Sequence, residues 1–316
     1  MSMGYMGYVK FDTDIILVTG ANIAEVIDPI YSSSVRGAGW YHAGTSHYAD
    51  DIIRYEGSID FEMQTGLWTF LKNWLVEDRI TSKTVLISPD GTITYTFTGG
   101  GTGDEGSLHG LWASSANFSA SEGGLMTCSL GVLGLERIES NNGNTYKDKS
   151  AILDCSVIAS SNPLNPSPFN ENPYPFWKTT CDILKSGTTI FSVGSEVLDW
   201  SIDVSENPVV VYACNGVRGP VALFMGEMEA SGNVTMFNLA GVSPIPSGCT
   251  ADNTAFEVSL FSSLDTKKLN LPRVVFENEG NPVQGSDATI NRTFNVKGFA
   301  GISDGTRRPA FYMAEV

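Results

Sequence analysis

The sequence predicts a mainly β protein, organised as two tandem β-sandwich or barrel-like domains with at most one flanking helix each. Three observations carry that expectation. The chain of 316 residues contains 33 glycines and is only 17% charged, and its frequent Ser, Thr, Asn and Val suit short strands and turns better than helices. The stretch Arg54 to Met63 alternates, with Tyr55, Ile59, Phe61 and Met63 on one side and Glu56, Ser58, Asp60 and Glu62 on the other. Successive strand side chains point to opposite faces, so this is one strand with an apolar and an acidic face. Only Gly66 to Asp78 has convincing helical spacing, with Leu67, Phe70, Leu71, Trp74 and Leu75 forming one apolar stripe that a sheet can cover.

In chain order, the apolar run Asp14 to Thr19 opens as a strand. A long polar connection from Asn22 to Asp50 follows, punctuated by Trp40, Tyr41 and Tyr48; connections of that length usually serve contacts, so it reads as a contact arm. After the acidic strand and the helix, Thr84 to Ser88 and Thr92 to Thr98 flank the turn Pro89-Asp90-Gly91 and read as a hairpin. Gly99 to Gly110, with Gly101 and Gly103, reads as a flexible loop, and Ala113 to Ser121 and Leu125 to Leu133 as strands joined by Glu122-Gly123-Gly124. Five prolines between Ser160 and Pro175 exclude central strand or helix, which divides the chain into a first domain over 1–160, a linker over 161–175 and a second domain over 176–316. Beyond the linker, strands are expected at Trp177 to Leu184, Val197 to Ser205, Val209 to Ala213, Val221 to Ala230, Val234 to Asn238, Phe256 to Phe261, Arg273 to Glu277 and Thr289 to Lys297.

The halves echo one another. Tyr55 to Asp60, around Gly57, pairs with Phe224 to Glu229, around Gly226, and Leu130 to Gly134 pairs with Phe294 to Gly298, two similar offsets that point to a duplicated domain. Asp199 and Asp203 stand opposite Trp200, Ile202 and Val204, so with Glu227 and Glu229 the second half also presents an acidic sheet face.

A net charge of -16 argues against gripping nucleic acid through phosphate neutralisation, which needs clustered Lys and Arg. The first ten residues lack a basic region followed by an apolar core, and no run approaches a membrane span, so the expectation is a soluble protein made in the cytoplasm. The five cysteines are widely spaced without a Cys-x-x-Cys pair and read as buried or free thiols. Gly101 to Gly106 fits Gly-x-Gly-x-x-Gly, yet no helix follows to hold a pyrophosphate and Asp104-Glu105 would repel it. His42 and His47, near Asp50 and Asp51, lie at a spacing that neither helix nor strand brings together, so no metal site is expected. No nucleophile accompanies a histidine in a recognisable elbow, and the Glu227 and Glu229 pair lacks an aromatic sugar platform. Neither an enzyme nor a cofactor is expected.

Trp177 to Leu184, Val197 to Tyr212 and Pro220 to Phe237, with Ala113 to Leu135 in the first half, resemble the strand succession of bacteriophage major tail tube proteins, here in a duplicated-domain form. The resemblance implies a structural virion protein whose neighbouring subunits extend their inner sheets into a barrel around a channel. Its partners would be itself, as a homotrimeric ring of pseudo-sixfold symmetry stacked into a tube, and other tail proteins such as the tape measure, the terminator and, in a contractile tail, a sheath. DNA would cross the lumen without specific binding and no membrane would be involved, in a virion tail assembled in the host cytoplasm. Glu56, Asp60, Glu62, Asp199, Asp203, Glu227 and Glu229 would line that lumen, and the regions of Trp40, Tyr41, Tyr48, Gly101 and Gly103 would hook ring to ring or subunit to subunit. A tail adaptor, terminator or baseplate component of the same fold, and a β-rich carbohydrate-binding module, are the alternatives.

Overall fold

The computed structural model describes residues 8–11, 14–31, 48–77, 83–87, 106–139, 173–185, 188–192, 197–212, 222–237, 254–261, 266–280, 291–303 and 306–315. The first half contributes β1 (Tyr8–Phe11), β2 (Asp14–Leu17), β3 (Gly20–Tyr31), β4 (Tyr48–Glu62), α1 (Thr65–Lys72), β5 (Lys83–Ile87), β6 (Gly106–Ser121) and β7 (Thr127–Glu139). The second contributes β8 (Thr179–Lys185), β9 (Thr188–Ser192), β10 (Val197–Ser205), β11 (Val209–Val211), β12 (Ala222–Phe224), β13 (Glu229–Phe237), β14 (Thr254–Phe261), β15 (Thr266–Leu271), β16 (Arg273–Gly280), β17 (Asn291–Phe299), β18 (Gly301–Ser303), β19 (Thr306–Arg308) and β20 (Tyr312–Glu315). The protein is mainly β, as its alternating stretches and turn residues dictate.

Eight strands form the body of the main sheet in the order β3-β4-β7-β6-β10-β13-β17-β16, all antiparallel. The halves meet where β6 pairs β10, from Ser115↔Ser205 to Ser121↔Asp199. The other end of β6 pairs β5, which leads to β1 and β2. A smaller sheet, β20-β15-β14-β8-β9, lies against one face.

Each set of four strands repeats one order: first, second, fourth, third in the chain. The register repeats as well. Ile23 faces Gly57, Gly57 faces Val132 and Val132 faces Ala113; Ile202 faces Gly232, Gly232 faces Val296 and Val296 faces Phe276. One residue later β6 bulges between Ala113 and Ser115, and β16 bulges between Phe276 and Asn278. The echo of Leu130 to Gly134 in Phe294 to Gly298 therefore falls in structural register. That of Gly57 in Gly226 does not: Gly226 lies in the turn before β13, and Gly232 holds the matching place. Close packing explains the two glycines, because a Cβ at Gly57 would lie 2.0 Å from the Asn22 carbonyl oxygen and one at Gly232 2.7 Å from that of Ser201.

The core lies between the sheets and under the helix. Ile59, Phe61, Leu130, Phe118, Trp200, Ile202 and Val296 from the main sheet meet Phe256, Val258, Leu260, Leu269 and Phe311, all buried. Phe118 stacks on Phe311 at 5.7 Å between ring centroids, and the Trp200 indole N–H donates to Thr179 Oγ1 of β8 at 3.2 Å. Burying a side chain of this size stabilises the fold by roughly 1.5–3 kcal/mol. Helix α1 buries Leu67, Trp68 and Leu71 and continues as a single π-turn, Asn73–Glu77, that buries Trp74 and Leu75. The helical stripe is thus present but shifted at its edge, since Trp68 joins it while Phe70 is only half-buried.

Three sequence expectations are corrected. Much of the connection from Asn22 to Asp50 is strand: β3 and β4 pair from Gly20↔Asp60 out to Tyr31↔Tyr48, with the β-branched Ile23, Val26, Ile27 and Ile30 along β3. The end of the loop expected over 99–110 is strand from Gly106 on, where β6 finds a partner in β7. The strand expected from Val221 to Ala230 breaks into β12 and the start of β13. Of the expected linker, only 173–175 falls among the described residues, and there Tyr174 bridges two chain segments, donating its N–H to the Met63 carbonyl and accepting at its own carbonyl from Met126 N–H.

Candidate functional site

The face of the main sheet turned away from the core is polar from strand to strand. One row crosses all eight strands: Gly20, Asp60, Ser129, Asn117, Asp203, Ser231, Lys297 and Val275. A second runs Asn22, Ser58, Gly131, Ser115, Ser205, Glu229, and a third Glu62, Thr127, Ser119, Ser201, Asn233, Asn295. The burial alternation of β10 and β13 puts Trp200, Ile202, Val204, Ala230, Val234 and Met236 behind this face.

Side chains along the rows bond across strands. Ser129 Oγ donates to Asp60 Oδ1 at 2.5 Å and Asn117 Nδ2 to Asp203 Oδ1 at 2.6 Å, so each carboxylate is held by its neighbour. Asn233 Nδ2 donates to Ser201 Oγ at 2.8 Å, and the hydroxyls of Ser119 and Thr127 and of Thr235 and Thr293 lie 3.1 and 3.2 Å apart. Such cross-strand pairs contribute roughly 0.2–1 kcal/mol each, and they fix the rotamers of the surface. A shallow depression of about 650 Å3 lies over Ser58, Asn117, Ser129, Asp203, Glu229 and Lys297.

The acids anticipated from the sequence divide accordingly. Glu56, Asp60 and Glu62 share the polar side of β4, Asp199 and Asp203 that of β10, and Glu229 opens β13 on the same side. Glu227 does not join them, because it is exposed in the turn before β13, with its carbonyl accepting from Asn207 Nδ2 at 3.1 Å. Tyr48 begins β4 opposite Tyr31, in a strand rather than a loop. Trp40, Tyr41, Gly101 and Gly103, with His42 and His47, lie outside the described residues.

Sequence reading that followed charge alone passed over most of the face. Between the carboxylates of β4 and those of β10 lie two strands of Ser, Thr and Asn, on β7 and β6. The signal was there in Ser115, Asn117, Ser119 and Ser121 alternating with Ala116, Phe118 and Ala120. Cations sit at its margins: Arg54, which pairs with Glu56, Lys297 on β17 and Arg273 on β16. Nothing among the described residues gathers three or more potential metal-ligating side chains.

The two ends of this face differ in chemistry. Beyond Ser205, Asn207 takes φ 42°, its Oδ1 accepts from Ser205 Oγ at 3.2 Å, and Gly226 packs where a Cβ would come 2.3 Å from the Asn207 carbonyl oxygen. This tie projects the β11–β12 hairpin, on which Val209 and Phe224 face each other, exposed. At the opposite end of β10, Leu125 bridges Pro175 and Trp177 is 76% exposed under the Lys178 ammonium.

Residues 33–239, about two thirds of the chain, match the family model described as phage tail tube protein. No curated protein gives a match.

Proposed function

Since the chain belongs to the phage tail tube protein family, structural components of the virion tail, we propose that copies of it close into rings and stack into a tube, the polar sheet face lining the bore. The observation that carries this is the continuity of that face: from β4 to β13 the three rows present hydroxyl, amide and carboxylate groups, interrupted only by Gly131, and each of those five strands is backed by buried core residues. A conduit for DNA must pass phosphates without holding them. Holding needs clustered Lys and Arg, whereas here Asp60, Glu62, Asp199, Asp203 and Glu229 repel phosphate at close range and the hydroxyls between them offer uncharged, replaceable contacts. Screening confines that repulsion to about 8 Å in physiological salt, so the wall acts only on DNA that approaches it.

The repeated strand order and register support a duplicated chain and a trimeric ring of pseudo-sixfold symmetry. Three eight-stranded copies at ~4.8 Å spacing and ~40° tilt enclose a backbone circle roughly 50 Å across. That leaves room for a duplex inside the side chains. Exposed apolar groups at opposite ends, Val209 and Phe224 against Leu125 and Trp177, support stacking of rings, since a contact between unlike ends repeats without closing. The segments of Trp40, Tyr41, Gly101 and Gly103, and the ribbon ending at Tyr48, would add to those contacts. In this reading the protein is assembled with other tail proteins in the host cytoplasm and has no catalytic part.

Negative-stain electron microscopy of the purified protein at rising concentration tests the proposal. Stacked rings or tubes with a stain-filled channel are the expected result. Discrete particles at every concentration would instead favour an adaptor, terminator or baseplate role.

A further inference from the structure

The smaller sheet turns Phe256, Val258, Leu260, Leu269 and Leu271 into the core. Its other side carries Glu257 and Ser259 on β14 and Lys268 and Asn270 on β15, because residues two apart on a strand share a side. In register Glu257 faces Asn270, Ser259 faces Lys268, and Asp182 of β8 faces Glu257. Glu257, Ser259 and Asn270 are buried there. The Lys268 ammonium lies 2.9 Å from Glu257 Oε1, and Asn270 Nδ2 donates to Glu257 Oε2 at 2.9 Å. Ser259 Oγ adds a 3.4 Å hydrogen bond to Oε1. One carboxylate thus holds an amine on one oxygen and an amide nitrogen on the other. Among the described residues Asn270 Oδ1, also buried, has no hydrogen-bond partner, and leaving a buried acceptor bare costs stability.

We propose that this cluster forms an isopeptide bond between the Lys268 side-chain nitrogen and Asn270 Cγ, with Glu257 moving the protons. Glu257 Oε1 takes a proton from the Lys268 ammonium, and the freed amine adds to Asn270 Cγ. The Glu257 carboxyl then protonates the departing Asn270 nitrogen, the C–N bond of the primary amide breaks, and ammonia leaves. The carboxylate takes the remaining proton from the new amide nitrogen. One ammonium, one carboxylate and one primary amide give one secondary amide, one neutral carboxyl and one ammonia, with no oxidant or co-reactant. Strand geometry supplies the reach, since Cα atoms two residues apart are roughly 6.5–7 Å away, a distance that a lysine side chain spans. Holding both reacting groups on one carboxylate replaces an encounter by a fixed geometry, and a positioned acid–base group eases the proton transfers. The product is also better satisfied than the starting cluster. A buried ion pair, which bears a desolvation penalty, becomes neutral groups, and Asp182 no longer faces a like charge at Glu257. The Glu257 hydroxyl gains an acceptor in the amide oxygen that was bare.

Intact-mass spectrometry of the purified full chain tests this. The expected mass is about 17 Da, one ammonia, below that of the sequence. Trypsin should fail to cut after Lys268, and fragment ions should place the loss between Lys268 and Asn270. An imide at Asn270 would lose the same mass without the lysine, so Lys268→Arg, which keeps the positive charge, is the control and should show the full mass. Glu257→Gln, checked for native folding by circular dichroism, should show the full mass as well. The full mass in the unmodified chain, or the same loss in Lys268→Arg, overturns the bond. A loss that persists in Glu257→Gln overturns the part given to Glu257.

Discussion

At the residue scale, the tightest constraints fall on groups that carry no chemistry. Gly57 has the backbone of β3 where its Cβ would be, at 2.0 Å from the Asn22 carbonyl oxygen and 2.5 Å from Ile23 Cα, while Gly232 meets the Ser201 carbonyl at 2.7 Å. Gly57→Ala should destabilise the protein by about 1–3 kcal/mol or more, and Gly232→Ala by less, as read from urea unfolding midpoints. Equal effects would contradict this account of the packing. Cys128 and Cys181 are buried and free, and burial pushes both thiols above their ordinary range, Asp60 adding to the effect at Cys128 and Asp182 at Cys181. Alkylation mapped by mass spectrometry should leave both unmodified in the native protein and modify them once it is unfolded. Because these thiols hold their protons more tightly folded than unfolded, the stability they confer is complete below about pH 8.5 and falls as pH rises beyond it.

At the element scale, α1 and Trp200 tie the layers together, and the β11–β12 hairpin is held outward by Asn207. Trp200→Ala removes a fully buried indole and its hydrogen bond to Thr179. It should cost about 3–5 kcal/mol, seen as a lower urea midpoint. Phe224→Ser, on an exposed strand, should leave that midpoint within about 0.5 kcal/mol while shortening tubes in electron micrographs. Unchanged tube lengths would remove the hairpin from the proposed stacking contact. How much of each element was legible follows from its periodicity. β10 was readable to its ends, because Trp200, Ile202 and Val204 alternate with Asp199, Ser201 and Asp203. β3 and the start of β4 before Arg54 were not, since Ile23, Val26, Ile27 and Ile30 do not recur at a two-residue period and only cross-strand pairing makes the segment strand.

At the scale of the whole molecule, charge and topology act together. Replacing Asp60, Asp199 and Asp203 with Lys would convert the proposed bore from repelling to holding phosphate, with the core behind it untouched. Such a variant should still form tubes, yet virions carrying it should release DNA more slowly, with the defect easing as salt rises. Ejection kinetics unchanged from the unmodified virion would set aside an electrostatic role for the face. Removing only Glu227, which stands off the sheet, should alter neither tubes nor ejection.

The sequence by itself determined the β class, helix α1, the acidic character and the two-sidedness of the strands, because alternation and helical spacing are local properties of neighbouring residues. The tertiary structure decided which strands lie side by side: that β6 meets β10, that Ser129 and Asn117 stand between Asp60 and Asp203, and that Gly232 rather than Gly226 answers Gly57. Those juxtapositions join residues tens of positions apart. They are set by backbone hydrogen bonding and by shared burial across the sheet, which no window of sequence contains.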